Sequence, residues 1–224
     1  DHKKAIINYY NMCVEDDDND DEVRYFIRRN ADNGNINSMV FIAKLFEKNP
    51  KTTNLSLAYY KMAANNCKKN EAMLYANKIV QTNLKEAIIY YKISISKGSI
   101  KACFPLAKIF KVNNQIDVAI EYYKTAVLLL NRKKADQELN EKEVSYDIKA
   151  QYKIGKLYYK KYQEQVESDQ YSSLQSLQRA EFYLRHIYIF EKSQKASKIL
   201  FSIIEIQKED LGHQEYIKFM KLLG

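Results

Sequence analysis

A short phrase, Tyr-Tyr-Lys, recurs at nearly one period in this chain in three of its occurrences, Tyr59-Tyr60-Lys61, Tyr90-Tyr91-Lys92 and Tyr122-Tyr123-Lys124, at spacings of 31 and 32 residues. Near-copies at one period are the mark of a supersecondary unit repeated in series. Such a unit cannot bury its apolar face alone and must stack on its neighbours. Each phrase lies in a longer block that starts from a small residue: Ala58 to Ala64, Ala87 to Lys92 and Ala119 to Ala126. Weaker versions stand at Ala5 to Tyr10, at Tyr25-Phe26 and at Ala180 to Arg185.

Each tyrosine block is followed by a second anchor of small and large apolar residues. These are Ala43-Lys44-Leu45-Phe46, then Ala72 with Ala76 and Ile79, and Ala102 with Ala107, Ile109 and Phe110. Ala150 with Ile154, Gly155, Leu157 and Tyr158, and Ala196 with Ile199, Leu200 and Phe201, complete the series. Leu84, Ala87, Ile88, Tyr91 and Ile95 fall on one helical stripe, with Lys85, Glu86 and Lys92 off it. Each unit therefore reads as a helix pair. Only 5 Gly and 2 Pro occur in 224 residues, too few for the tight turns of a sandwich or barrel. Gly98, and Asn33-Gly34 earlier, are placed to end first helices in the left-handed conformation. Lys68 stands where a glycine is expected before Ala72, so that turn needs another geometry. Pro105, inside an expected second helix, should kink it or delay its start.

These residues resemble Sel1-like repeats, short relatives of the tetratricopeptide repeat. The family pattern is A-x-x-aromatic-aromatic-x-x-A-A, then G-x-x-x-A, then L-G-x-hydrophobic-aromatic. Ala58-Tyr59-Tyr60-Lys61-Met62-Ala63-Ala64 matches the first element, Gly98 with Ala102 the second, and Ile154-Gly155-Lys156-Leu157-Tyr158 the third. The resemblance is clear over residues 55–130 and extends over 23–205. It implies an all-α fold: a right-handed superhelix of stacked antiparallel helix pairs, about five of them, with terminal helices added. The chain departs from the family in its shorter period, in its reduced loops Gln81-Thr82-Asn83 and Val112 to Gln115, and in Ala43 and Ala107 replacing the second-helix glycine.

Three regions are expected. Residues 1–22 form an N-terminal helix and an acidic linker, residues 23–212 the repeat solenoid, and residues 213–224 a capping helix over the last pair. Two breaks in apolar periodicity, near 131–144 and 163–173, read as insertions projecting from one edge of the stack. The net charge is +8 overall, but residues 15–22 are almost entirely acidic, and residues 23–224 carry 34 basic against 20 acidic residues. A surface that basic can attract an acidic protein, a nucleic acid or an anionic lipid, or can serve solubility alone.

Little in the sequence suggests catalysis. Cys13, Cys67 and Cys103 are odd in number and far apart, which speaks against a disulfide framework or a zinc site and favours free thiols in a reducing compartment. The missing initiator Met also allows an exported mature product. Asp16, Asp18 and Asp20 alternate as in a calcium loop, but Asp21 and Ile27 stand where such a loop needs Gly and Glu. His186 has no catalytic partner at a useful spacing, and no G-x-S-x-G, Walker, H-E-x-x-H or G-x-G-x-x-G motif occurs. No cofactor is expected, and no apolar run reaches the ~20 residues that span a bilayer.

The tyrosine pairs recur at structural anchors, which favours a core role over base stacking. The cation that follows each pair is different. Lys61, Lys92 and Lys124, with Arg185 in the same place of a later unit, would align along one face and could recognise an acidic peptide or partner helix. The alternative is a set of solvated cations whose stems cover tyrosine rings. The leading expectation is a non-enzymatic scaffold or adaptor that binds another protein on its concave or basic face. The second is a basic solenoid that binds RNA or single-stranded nucleic acid.

Overall fold

The structure, a computed structural model, describes residues 21–66, 70–191 and 194–211. Among these are ten α-helices and no strand: α1 Asp21–Asp32, α2 Ile36–Glu47, α3 Thr53–Asn65, α4 Asn70–Ile79, α5 Leu84–Ser96, α6 Ile100–Val112, α7 Ile116–Asp136, α8 Glu141–Gln165, α9 Gln170–Glu191 and α10 Gln194–Leu211. The expected helix before the acidic run, the turn at Lys68 and the capping helix at 213–224 lie outside the described residues. The chain divides into two compact units, Asp1–Lys97 and Gly98–Gly224. Within each unit, sequence-adjacent helices pack against one another.

The turns follow from local chemistry. Gly34 and Gly98 have φ of +87° and +85°, as their places after a first helix require. The turn after α6 does the same with a non-glycine, Asn114 at φ 57°. There Gln115 N–H donates to Phe110 O at 2.9 Å and Asn114 N–H to Lys111 O at 3.1 Å. Asn35 and Gly34 bond back to Asn30 and Ala31 in the same six-to-one pattern after α1. Asparagine also opens helices. Asn35 accepts from Ser38 N–H and Asn83 from Glu86 N–H, and Asn140 forms a reciprocal capping box with Glu143.

The two sequence breaks are smaller than expected. Residues 131–136 continue α7, residues 163–165 finish α8, and only 137–140 and 166–169 are non-helical. The physical reason is that neither stretch contains Gly or Pro, and fully buried Leu130 anchors α7 just before the first. Lys133 and Glu143 also form an ion pair that ties the extended ends of α7 and α8. Asp21 and Glu22, expected in a linker, already belong to α1. Pro105 neither delays nor ends α6, which starts at Ile100 and runs through it. Proline costs the helix the bond to the carbonyl of Lys101, and that residue is exposed, so water can satisfy it.

The tightest packing joins α2 to α3 and α4 to α5 in the first unit, and α6 to α7 and α8 to α9 in the second. Small residues make this possible. Ser56 donates its hydroxyl to Ala43 O at 2.7 Å where α2 meets α3. Where α8 meets α9, a Cβ on Gly155 would lie 2.6 Å from Leu184 Cγ and 3.3 Å from Ala180 O. Ala76 with Ala87, and Ala107 with Ala119, hold the corresponding places in the other pairs, and all four are fully buried. The opening small residue of the first tyrosine block is therefore Ser56 and not the exposed Ala58, because Ser56 has the register of Ala87, Ala119 and Ala180.

The tyrosine phrases point inward. Tyr60, Tyr91 and Tyr123, with Leu184 in the same register of α9, are all at most 4% exposed. In the second unit they belong to one continuous apolar cluster reaching from Ala107 to Ile204.

Candidate partner-binding surfaces

Lys61, Lys92, Lys124 and Arg185 hold one repeat position on α3, α5, α7 and α9. Three of them are engaged with carboxylates. Lys61 Nζ on α3 lies 2.8 Å from Glu86 Oε1 on α5, and that hydrogen bond is the main reason its pKa is raised. Lys124 Nζ is 2.8 Å from Glu121 Oε1 and 5.8 Å from the centre of the Tyr158 ring. Partial burial would lower the Lys124 pKa, but its bonds to Glu121 and Tyr158 outweigh this and raise it. Arg185 pairs with Glu181 one turn before it on α9. Lys92 is exposed and forms no ion pair among the described residues.

In the first unit these charges belong to a network that the sequence did not reveal. Glu86 accepts from Tyr75 at 3.2 Å and from Asn83 at 2.9 Å as well as from Lys61. Glu47 accepts from Tyr60 at 3.0 Å and pairs with Lys78. Tyr90 donates to Asn65 and Tyr91 to Asn77, each at 2.7 Å. The hydrogen bond to Lys78 holds the Glu47 carboxyl below the ordinary range, and the bond to Lys61 does the same for Glu86, in both cases against desolvation. Burial, together with the bond to Glu47, pushes the Tyr60 hydroxyl far upward. The partners of these hydroxyls lie 11 to 25 residues away on other helices, so no local pattern announces them.

A different cationic feature occurs in the second unit. Lys149, Lys153, Lys156 and Lys160 follow one another on α8 at i, i+4, i+7 and i+11, and so share one face of the helix. The last three line a groove of about 420 Å³, joined by Lys111 from α6 and Lys198 from α10. Buried Tyr123 and Leu157, with half-buried Ile199, form its apolar floor, and among the described residues no carboxylate lines it. Lys160 also pairs with Glu164 at 3.1 Å. This stripe is legible from lysine spacing alone, apart from the tyrosine phase.

A second depression, of about 620 Å³, brings His186 of α9 to the side of Lys134, Val144 and Asp147. Asp147 Oδ2 accepts from Gln151 at 2.9 Å, and its buried Oδ1 has no hydrogen-bond partner. Buried Cys103 lies 3.8 Å from Ser99 O, and desolvation pushes its thiol up to about 12, far from a reactive thiolate. Among the described residues, no group of three or more His, Cys, Asp or Glu could hold a metal ion, and no helix is long and apolar enough to cross a membrane.

No protein-family model matches the chain, and no curated protein is significantly similar to it.

Proposed function

We propose that this chain is a Sel1-like, tetratricopeptide-like α-solenoid whose helix pairs wind as a right-handed superhelix, and that it works as a non-enzymatic scaffold binding another protein. One observation carries the reading. Framework positions repeat both residue type and burial, whereas the neighbouring outward position does not. In that position α3, α5, α7 and α9 carry Ala58, Ile89, Glu121 and Phe182, all exposed, with Ile89 at 55% and Phe182 at 70%. A constant frame under a varied surface is what a stack of repeats needs in order to recognise a partner along its length. The inward tyrosines support this over base stacking, which would need their ring faces in solvent.

The test is recovery of a partner on the immobilised full chain after nuclease treatment, followed by gel filtration of the two purified proteins. A defined complex that survives nuclease is expected. Recovery of nucleic acid alone, or of no protein from the native host, overturns the reading.

A further inference from the structure

We propose that the groove between α6, α8 and α10 is a docking site for an acidic linear segment of a partner protein, one that also carries apolar side chains. The inference rests on the scaffold reading and names where the partner engages and by what chemistry. Five ammonium groups from three helices converge on the groove: Lys111, Lys153, Lys156, Lys160 and Lys198. Lys160 is paired with Glu164, whereas Lys111, Lys156 and Lys198 form no ion pair among the described residues, so the lining keeps an excess of positive charge that a segment bearing carboxylates complements.

The cations that follow the tyrosine pairs are different. Lys61, Lys124 and Arg185, the cations that the repeat places in phase, are each held by a carboxylate of the chain itself. Lys111, Lys156 and Lys198 are exposed, line the groove and form no ion pair among the described residues.

The floor decides between classes of acidic ligand. Tyr123 and Leu157 are 4% and 3% exposed, so they offer a shallow apolar seat rather than open ring faces. Tyr152 and Tyr159 at the edges are half-buried. A nucleobase gains its affinity by stacking on a free ring. An aliphatic or aromatic side chain of a peptide gains it by burying area against such a floor while its neighbours reach the lysines. The combination of apolar seat and lysine rim therefore fits an acidic-hydrophobic peptide.

Fluorescence anisotropy on the full chain tests this with three labelled probes: a short peptide alternating Glu and Leu, its Gln and Leu counterpart, and an oligothymidylate. The Glu/Leu peptide should bind, weaken as salt rises, and outcompete the oligothymidylate. The Gln/Leu peptide should bind about tenfold more weakly or worse, as expected when several charge contacts are lost. The Lys156→Glu/Lys198→Glu variant alters two exposed side chains and should fold normally by circular dichroism, yet lose about tenfold or more in affinity for the Glu/Leu peptide. The Lys51→Glu/Lys85→Glu variant, with equal charge change in the first unit, should bind as the parent does. Equal loss in both variants, no loss in the groove variant, or tighter binding of the oligothymidylate through the same lysines overturns the proposal. A protein complex that persists in the Lys156→Glu/Lys198→Glu variant while peptide binding is absent removes the groove and leaves the scaffold reading standing.

Discussion

In Asp1–Lys97 the described helices run 10 to 13 residues, and four tyrosines end in hydroxyl bonds to Glu or Asn on a neighbouring helix. In Gly98–Gly224 three successive helices run 21, 25 and 22 residues, and rings meet rings. Phe110 stacks on Tyr122 at 5.4 Å, Tyr158 on Tyr183 at 6.2 Å, and Phe104 stands edge-on to Tyr123 at 5.7 Å. The same repeated tyrosine is thus used in two ways. A hydroxyl bond fixes register and direction for a net gain of about 1 kcal/mol, whereas interlocked apolar side chains contribute several times that and depend on shape. The first unit adds these hydroxyl bonds to ring contacts such as Tyr75 with Tyr90 at 4.7 Å, whereas Tyr123 of the second packs within one continuous apolar cluster.

The largest test of this contrast lies at the α8–α9 crossing. Leu184→Ala should cost about 2–5 kcal/mol in urea unfolding, as removal of a fully buried leucine does. Gly155→Ala should cost about 1–3 kcal/mol, since its new methyl group would press on Leu184. The two together should cost less than their sum, because the space left by one accepts the other. Strict additivity would mean that the crossing is not volume-limited.

Next in size is the hydroxyl comparison. Tyr91→Phe removes the hydroxyl that a 1% exposed side chain donates to Asn77 and should cost about 1 kcal/mol, while Tyr123→Phe, whose ring packs on Phe104, should stay within about 0.5 kcal/mol. Equal costs would erase the distinction between the units.

Acidification should act on the first unit through Glu47 and Glu86. Their native carboxyls are held below the ordinary value, first by Lys78 and Lys61 respectively. Folding therefore favours the ionised form, and the contribution is complete above roughly pH 5 and lost as pH falls through the native values. Amide exchange in α3 to α5 should accelerate as pH is lowered across that window after correction for intrinsic rates, and Glu86→Gln should flatten the response. Smallest in energetic terms, Cys103 should resist thiol reagents at neutral pH in native protein and react at once on unfolding.

The helix pairs, their turns at Gly34 and Gly98 and the inward tyrosines were legible because each depends on local spacing or on one residue's backbone freedom. The packing partners were less so. Ser56 takes the place of an alanine by register, and register shows only once the helices cross. The breaks at 131–144 and 163–173 looked like loops because their outward faces lack apolar residues, yet polar composition without Gly or Pro does not end a helix. Of the candidate site, the phased cations were visible, and Glu121 and Glu181 stand at helical spacing from Lys124 and Arg185, whereas Glu86 holds Lys61 from another helix and follows from no local spacing. The lysine stripe of α8 needed only a count of fours and threes.

The continuation of α7 through residue 136 and the start of α8 at Glu141 carry both helices beyond fully buried Leu130 and Ala150. The depression that holds His186 and Asp147 is walled in part by this added length, by Lys134, Glu138 and Val144. Shortening α7 and α8 by whole helical turns would therefore reshape that recess while fully buried Leu130 and Ala150 stay in place.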